Sequence, residues 1–350
     1  MGDLLLPSLE IENFRAFRHL HIERLARVNL IVGKNNVGKT SLLEALWLYA
    51  CRGDPGVIWE QLAVREESTG WSASPVPAPA LRAIRNLFTQ RPDVVAQGGT
   101  LTIGSAAVPD QRLTLALERH ADPTSQQRGL RPFFSLRVGA KTQLFTEFMQ
   151  HMPERSIPPA VTNIPNAIVL AGGLTPAYVT ALWDKIALTN LEEDVVAALR
   201  MIAPEIERVN MLADPAVGPQ RIAMARVQGN GQPIALRSYG DGMFRLFVLA
   251  VTLVNAKDGL LLVDEIENGL HYTALHAMWR QIFQVATRLN VQVFATTHSQ
   301  DCLEAFQHAA SAHAEAGQVI RLGRKRGDVV ATLFDEQELA LITRDQIEVR

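Results

Sequence analysis

The amino-acid sequence predicts an α/β fold in which a mostly parallel sheet is flanked by helices. Three almost continuous apolar runs support this prediction, and they lie at Val28–Val32, Leu260–Glu265 and Val291–His298. Such runs are typical of strands that are covered on both faces. The segment His271–Leu289 lies between the last two runs and has helical periodicity, as the crossover between two parallel strands requires.

The first part of the chain predicts a phosphate-binding loop. Strand-like segments near Leu9–Glu12 and His19–Glu23 precede the first apolar run, which leads into GKNNVGKT and then into the helix-like Ser41–Ala50. The pattern G-x-x-x-x-G-K-[ST] between a strand and a helix is typical of a loop that binds a nucleoside triphosphate. The predicted nucleotide contacts are Gly33, Lys34, Asn35, Asn36, Val37, Gly38, Lys39, Thr40 and Ser41.

The residue types of this loop have physical reasons. Gly33 and Gly38 allow the backbone to turn its N–H groups toward phosphate oxygens, and the following helix adds its positive N-terminal end. Lys39 is predicted to reach the β- and γ-phosphates and to assist catalysis, and the Thr40 hydroxyl is predicted to bind Mg²⁺. The sequence therefore predicts a nucleoside triphosphate and Mg²⁺ as ligands.

The next hundred residues predict an insertion. Asp54–Pro79 is rich in Pro, Gly, Ser and Ala, which indicates a loop or insertion rather than more of the core. Apolar and polar residues then alternate in segments that predict antiparallel strands with one solvent-exposed face, at Leu101–Ala107, Arg112–Arg119 and Phe133–Gly139. These strands either lean over the nucleotide or form a docking surface, and the sequence leaves both open.

A helical lobe is predicted to follow. A strand near Ala167–Leu170 leads to two amphipathic helices, at about Pro176–Asn190 and Leu191–Ile202. The turn SYGDG then precedes a third, apolar helix, and small residues at a helix N-terminus form a second anion site. One subunit does not need two such sites for one triphosphate. We therefore predict that this turn completes the pocket of another copy of the chain.

The last part of the chain carries the residues predicted to turn binding into hydrolysis. The run LLLVDE ends in Asp264 and Glu265 at the carboxyl end of a strand, where α/β sheets bind ligands. Asp264 is predicted to hold Mg²⁺, and Glu265 to orient or deprotonate the attacking water, which is typically worth about 10²- to 10⁴-fold in rate. His298 ends the next strand, in TTHS, and is predicted to bond the γ-phosphate and to sense its loss.

Two features near the C-terminus and in the composition leave alternatives open. Strands at Ile320–Leu322 and Val329–Phe334 flank GRKRG and predict a closing hairpin, whose basic turn either is solvated or contacts DNA. The 350 residues are 47% hydrophobic and 20% charged with a formal net charge of −2, which is ordinary for a globular protein and does not by itself indicate a nucleic-acid binder. Cys51 and Cys302 form no metal or redox pattern, and we expect two buried thiols.

The N-terminus has no signal-peptide pattern, and no apolar stretch is long enough to span a bilayer. These observations, with the lack of a disulfide pattern, predict a cytoplasmic protein without a membrane partner.

Five of these segments resemble the ABC-type ATPases, and within them the SMC-like and OLD-like branch found in DNA repair and phage defence, in a form without a Toprim domain. IENFRAF resembles the opening strands of that branch, GKNNVGKTSLLEAL its Walker A loop and helix, and SYGDG its signature motif. LLLVDEIENGLH resembles its Walker B motif and D-loop, and TTHS its histidine switch. The resemblance covers residues 9–51 and about 164–350.

The resemblance implies an ATPase that forms a head-to-tail dimer around two ATP molecules, and higher oligomers stay open. Each ATP is implied to lie between the Walker A loop of one subunit and Ser238, Gly240 and Gly242 of the other. Asn268–His271 are implied to form a D-loop that crosses the dimer. Arg15 resembles an arginine near the nucleotide in this branch, but its role stays open. The Q-loop glutamine is not assigned, and Gln143 is one candidate.

The chain departs from the family in two ways. SMC-like proteins carry long coiled-coil arms, whereas no heptads occur here. OLD-like nucleases append a Toprim domain, but only about fifty residues follow His298. We therefore expect any nuclease to be another chain.

Four units are predicted along the chain. Residues 1–53 and 258–350 form the two halves of the ATPase core, 54–163 the insertion and 164–257 the helical lobe with the signature motif.

Three functional interpretations remain. The first is a dimerising ATPase whose closure on ATP controls a separately encoded effector, such as a nuclease in antiviral defence, either by turnover or with slow turnover that mainly supports assembly. The second is a DNA-binding repair ATPase that clamps duplex DNA without a nuclease partner, which the many arginines could serve. The third, a motor subunit of a membrane transporter, fits IENFRAF and the insertion poorly.

Overall fold

A computed structural model describes residues 4–67, 83–91, 98–105, 107–121, 130–139, 141–145, 163–213, 220–313 and 316–334. The strands are β1 Leu9–Phe14, β2 Phe17–Ile22, β3 Val28–Val32, β4 Gly99–Gly104, β5 Leu113–Ala121, β6 Leu130–Val138, β7 Lys141–Phe145, β8 Asn166–Val169, β9 Ile206–Ala213, β10 Arg221–Val227, β11 Ile234–Ala235, β12 Leu260–Val263, β13 Gln292–Thr296, β14 Gly317–Lys325 and β15 Asp328–Phe334. The helices are α1 Lys39–Ala50, α2 Pro55–Val64, α3 Pro176–Ile186, α4 Leu191–Arg200, α5 Asp241–Asn255, α6 Tyr272–Arg288 and α7 Gln300–Ser311.

The mostly parallel sheet is present, which confirms the predicted fold class. Its strand order is β15-β14-β3-β13-β12-β8, and every pair is parallel except the hairpin of β14 and β15. Helix α6 connects β12 to its neighbour β13, as the segment between the two apolar runs predicted. Because β3, β12 and β13 run in the same direction side by side, their carboxyl ends meet at one edge of the sheet.

The strands of this sheet are apolar throughout because both faces are covered. In β12, Leu261 and Val263 pack with the helices of one face, and Leu260 and Leu262 pack with the layer on the other. Helix α1 lies in that second layer and is buried on nearly all sides. It contacts the parallel sheet and also the core of the antiparallel sheet, so α1 lies between the two sheets.

The antiparallel sheet has the strand order β2-β1-β4-β5-β6-β7. The alternating segments in the predicted insertion therefore form antiparallel strands, as expected. The two N-terminal strands also belong to this sheet, since β1 pairs with both β2 and β4. Gln143, the unassigned Q-loop candidate, lies in β7 at the outer edge of the sheet.

The segment predicted as a helical lobe contains α3, α4 and α5, whose apolar faces share one core. It also contains a three-stranded antiparallel sheet of order β11-β10-β9, which the sequence analysis missed. In β9, buried Ile206, Val209 and Met211 alternate irregularly with exposed polar residues, so the period of two was weak. Packing against the helices, rather than local pattern, selects the strand conformation there.

The segment from Asp54 onward was predicted to be a loop or an insertion, and its first part is not a loop. Pro55–Val64 form α2, and the Asp54 carboxylate caps this helix by accepting the N–H groups of Gly56 and Val57 at 2.8 and 3.2 Å. Asp followed by Pro at the first helical position is a helix-start signal, although the same residues also favour turns. The rest of the predicted loop, residues 68–79, lies outside the described residues.

Both cysteines are free and buried, as expected. Burial raises the pKa of the Cys51 thiol to about 11 and that of Cys302 to about 12, which suppresses the reactive thiolate. Among the described residues, no helix is both long enough and apolar enough to cross a membrane.

Candidate nucleotide-binding and catalytic site

The phosphate-binding loop connects the end of β3 to the start of α1, at the edge of the sheet where the parallel strands end. Gly33 and Gly38 have φ angles of 144° and 113°, in the region that favours glycine. A side chain at Gly33 would collide with the carbonyl oxygen of Leu322 in β14, and one at Gly38 would lie 3.1 Å from the ring of Phe17. The two glycines are therefore required by the backbone of the loop and by its close neighbours.

The Lys39 ammonium lies folded over this loop. Its Nζ atom donates to the carbonyl oxygens of Gly33 and Lys34 at 2.7 and 3.2 Å and lies 3.4 Å from Nδ1 of His298. Burial lowers the pKa of Lys39, and the nearby carboxylates, Asp264 among them, oppose that shift. A cation held in this position beside backbone N–H groups is suited to bind phosphate oxygens.

The Thr40 hydroxyl and the Asp264 carboxylate form a pair across the strand end. Thr40 Oγ1 donates to Asp264 Oδ2 at 3.0 Å, and the carboxylate is buried. The hydroxyl of Thr296 at the end of β13 donates to the other oxygen, Oδ1, at 2.6 Å. Hydroxyl and carboxylate oxygens are the ligands that Mg²⁺ prefers, so Thr40 and Asp264 fit the predicted metal.

Thr296 is a site residue that the sequence analysis missed. Besides its bond to Asp264, its Oγ1 accepts the backbone N–H of Glu265 at 2.9 Å. Val263 pairs with Ala295 in the register of β12 and β13, so the next residues, Asp264 and Thr296, lie side by side. The first threonine of TTHS would have been found if that register had been known.

Glu265 projects from a turn that holds its backbone in an unusual conformation. Its φ angle is 48°, and its side chain is 41% exposed and faces the cleft. Its Oε1 atom lies 3.7 Å from Nε2 of His298. The backbone N–H of His298 donates to Glu267 Oε1 at 2.9 Å. Glu267 was not predicted as a site residue from the sequence. His298 thus lies close to both Lys39 and Glu265, at the sheet edge where it was predicted.

The buried guanidinium of Arg245 supports this turn from the signature helix α5. Its Nη2 atom lies 3.5 Å from the carbonyl oxygens of both Asp264 and Glu265. Burial lowers the pKa of Arg245, and Glu267, Glu265 and Asp264 oppose that shift. No local sequence pattern predicted this role for Arg245.

The signature turn lies on another part of the surface. Ser238 is in a short 3-10 helix, Leu236–Tyr239, and Gly240 precedes α5 with a φ angle of 99°. A side chain at Gly242 would lie 3.1 Å from the carbonyl oxygen of Gly269, so the turn packs against the predicted D-loop. Within one chain, Ser238, Gly240 and Gly242 do not line the cleft that contains Lys39.

That cleft has a volume of about 780 Å³, which is in the range of small-molecule sites. One end is formed by the phosphate-binding loop with Glu265 and His298. Arg65 adjoins this end through the Ser41 hydroxyl, and the other lining residues include Arg15, Glu67, Asn86, Phe88, Gln90 and Arg91. A second opening of about 790 Å³ adjoins the loop on the side of Glu267 and Asn268. The structure therefore places Arg15 in the cleft that contains the phosphate-binding loop.

Two protein-family models match the chain. Residues 5–52 match a model described as an AAA ATPase domain, and residues 151–303 match one described as an AAA domain, putative AbiEii toxin, Type IV TA system. The first match contains Lys39, and the second contains Glu265 and His298.

Similar proteins agree with this result. A protein of Helicobacter pylori named ATP/GTP phosphatase is 20% identical over 342 residues, which cover 86% of this chain and 87% of that protein. The DNA replication and repair protein RecF of Thermomicrobium roseum is 39% identical over 87 residues, 25% of this chain and 21% of RecF. The crystal structure of an SMC head bound to the C-winged helix domain of ScpA superposes with a TM-score of 0.55 at 13% identity, covering 95% of this chain and 99% of that one.

The chain is an ATPase with an ABC-type fold. The family models and the relatives carry the ATPase assignment, and the SMC-head likeness carries the fold. The ATPase has the Walker A, Walker B and histidine segments of its sequence at one sheet edge, and only the signature turn lies apart from them.

Proposed function

We propose that this ATPase works as a head-to-tail dimer that encloses two ATP molecules. The observation that carries the proposal is the position of the signature turn, which is exposed at the N-terminus of α5 and lies outside the cleft of its own chain. A helix N-terminus with exposed N–H groups is suited to bind an anion. In the dimer, Ser238, Gly240 and Gly242 of one subunit contact the γ-phosphate of the ATP held by the other, and Asn268–His271 cross the interface.

Hydrolysis in the proposed site follows from the placement of each group. Lys39 and the loop N–H groups bind the β- and γ-phosphates, and Glu265 takes a proton from the attacking water. His298 lies between them, 3.4 Å from Lys39 Nζ and 3.7 Å from Glu265 Oε1, so it can register the γ-phosphate from the same side as the base. Thr40 and Asp264 would hold Mg²⁺, which neutralises developing charge on the phosphate oxygens.

We further propose that opening and closing of the dimer controls a separately encoded effector, a nuclease in antiviral defence, in the cytoplasm. The resemblance of the motifs to the OLD-like branch supports this role. The family description of a putative AbiEii toxin in a Type IV TA system is also compatible with a role that depends on another gene product. Hydrolysis loosens the interface and so ends the signal, as in other order-to-disorder switches.

A DNA-binding repair ATPase is the second candidate function. The turn between β14 and β15 exposes Arg324, Lys325 and Arg326, and Arg324 donates to the carbonyl oxygen of Asn36 in the phosphate-binding loop at 3.3 Å. RecF and a Rad50 ATPase of Archaeoglobus fulgidus, 38% identical over 71 residues or 20% of this chain and 8% of that protein, support this candidate. Salt-sensitive binding of duplex DNA, lost when the three cations are replaced by alanine, would favour it.

The dimer is tested by light scattering of the Glu265→Gln variant. Without the base, hydrolysis stops and the MgATP-bound dimer accumulates, so the mass should double when MgATP is added. Lys39→Ala should remain a monomer in MgATP, since it does not hold the triphosphate. Glu193→Gln, a matched change at an exposed carboxylate on α4, should behave as the unmodified chain does. A monomeric Glu265→Gln variant in saturating MgATP would contradict the proposed dimer.

A further inference from the structure

Five charged side chains along the wall of the cleft are linked to one another by ion pairs. We call this set the arginine–glutamate chain; its members, in spatial order, are Arg65, Glu44, Arg15, Glu67 and Arg91. Arg65 makes a two-pronged contact with Glu44, from Nε to Oε1 at 2.7 Å and from Nη2 to Oε2 at 2.9 Å. Arg15 contacts Glu44 and Glu67 at 2.9 Å each, and Arg91 contacts Glu67 at 2.9 Å.

The arginine–glutamate chain starts at the phosphate end of the cleft, with Arg65. Nη2 of Arg65 donates to the hydroxyl of Ser41 at 3.3 Å, and Ser41 is in the first turn of α1. The N–H groups in the first turn of a helix have no acceptor within the helix, so they bind the phosphates that the loop encloses. Arg65 is therefore beside the innermost phosphate of a nucleotide, the one bonded to the nucleoside, when the terminal phosphates lie at Lys39.

The Arg15 guanidinium in the arginine–glutamate chain contains an unsatisfied donor. The side chain of Arg15 is only 4% exposed, and its Nη2 atom has no hydrogen-bond partner among the described residues. A buried donor without an acceptor costs about 1–3 kcal/mol, and such groups are rare unless a ligand or water satisfies them. Arg15 lines the cleft, but this nitrogen is itself buried, so only an acceptor that enters the wall can satisfy it.

The arginine–glutamate chain carries a net positive charge. Burial raises the pKa of the Glu44 carboxyl, and Arg15 and Arg65 on either side oppose this rise. Three guanidinium groups against two carboxylates leave one excess positive charge, so the wall as a whole offers donors and favours an anionic, oxygen-rich ligand.

Among the described residues, the far end of the cleft has little that would select one purine base. Both oxygens of Glu67 already accept from arginines, which makes this carboxylate a weaker acceptor for the N–H groups of guanine. Asn86 and Gln90 carry amides, which present a donor and an acceptor and can suit either adenine or guanine. The ring of Phe88 is 1% exposed and offers no stacking face, whereas the side chain of Arg91 is 61% exposed and can cover a base.

We propose that the arginine–glutamate chain is the nucleoside subsite of the cleft, and that it accepts purine nucleoside triphosphates with little preference between ATP and GTP. Arg65 binds the innermost phosphate, Arg15 holds the Glu44 and Glu67 carboxylates in place, and Arg91 covers the base. This inference rests on the proposed triphosphate site at Lys39, and it assigns roles to Arg65 and Arg91 that lie outside the phosphate-binding loop.

The test compares the binding of ATP, GTP and inorganic tripolyphosphate to the full chain by calorimetry, with Mg²⁺ present. Tripolyphosphate has the three phosphates but no nucleoside. Arg91→Ala should weaken ATP and GTP about three- to tenfold and leave tripolyphosphate unchanged. Arg65→Ala should weaken all three ligands about tenfold or more, since it removes a charged donor from a phosphate. Arg85→Ala, at an exposed residue that does not line the cleft, is the control and should change nothing.

Arg91 carries the decisive result because its exposed side chain can be removed without opening the buried part of the wall. If Arg91→Ala leaves the ratio of ATP to tripolyphosphate affinity unchanged, or if GTP binds the unmodified chain more than about a hundredfold more weakly than ATP, the nucleoside subsite is wrong. If the unmodified chain binds neither ATP nor tripolyphosphate, the proposed triphosphate site fails instead. The two failures are therefore distinguishable.

Discussion

Replacement of Thr296 by valine should slow ATP hydrolysis while the protein stays folded. The Thr296 hydroxyl donates to Asp264 Oδ1 at 2.6 Å and accepts the N–H of Glu265 at 2.9 Å. Valine has nearly the same shape but makes neither bond. Glu265 has a φ of 48°, a conformation that costs a residue with a side chain about 1–2 kcal/mol, so its N–H bond is one of the restraints that hold it there.

The size of the effect follows from the two lost bonds. A hydrogen bond to a charged group contributes about 1.5–3 kcal/mol and a neutral one about 0.5–1.5 kcal/mol. Thr40 still donates to Asp264 Oδ2, so the carboxylate keeps one partner in the variant. We expect a loss of about 2 kcal/mol in the free energy of unfolding. The turnover number should fall about 10- to 100-fold, because Glu265 no longer holds its position toward the attacking water.

Steady-state phosphate release and chemical denaturation measure the two quantities. Thr296→Ser keeps the hydroxyl and should retain most of the activity. Thr297→Val changes the neighbouring threonine, whose Oγ1 accepts the N–H of Ser299 at 3.0 Å, and tests whether any change at this strand end has the same effect. A folded Thr296→Val variant with a turnover number within about twofold of the unmodified chain would refute the positioning role.

Two further predictions concern stability and thiol chemistry. Gly33→Ala should lower the free energy of unfolding by about 2 kcal/mol or more, because the new side chain meets the Leu322 carbonyl at a φ of 144°; Gly231→Ala, where nothing lies within 4 Å, should cost far less, and equal losses in denaturation would contradict the close-contact argument. Cys51 and Cys302 should not react with a thiol reagent at pH 8 while the protein is folded, because burial raises their pKa to about 11 and about 12; both should react once guanidinium unfolds the chain, and rapid labelling of the folded protein would be the contrary result.

Much of the fold followed from the sequence because its signals are local. Apolar runs such as Val28–Val32 and Leu260–Val263 are long enough to identify strands covered on both faces, and the phosphate-binding loop has a fixed pattern. Residues that follow those strands then lie at a shared edge, which is why Asp264, Glu265 and His298 were expected there. The structure places His298 3.4 Å from Lys39 Nζ and 3.7 Å from Glu265 Oε1.

The residues that support the site were missed because their partners are distant in sequence. Thr296 contacts Asp264 only through the register of two parallel strands, which no local pattern encodes. Arg245 lies in α5 and reaches the carbonyl oxygen of Asp264, which follows β12, so this contact depends on how the helix packs against the sheet. Glu267 was passed over as one acid among several in the D-loop segment, although it accepts the His298 N–H. Each of these contacts depends on how the elements pack.

The wall of the cleft depends in the same way on the docking of α2 against α1. Gln61 in α2 donates its amide to the carbonyl oxygen of Glu44 in α1 at 2.9 Å, which fixes the two helices relative to each other. Arg65 is four residues after Gln61, so it lies on the same face of α2 and reaches the Glu44 carboxylate. The sequence of this segment predicted a loop or an insertion, and neither gives a reason to place Arg65 beside the phosphate-binding helix. The error in one helix therefore concealed a whole wall of the cleft.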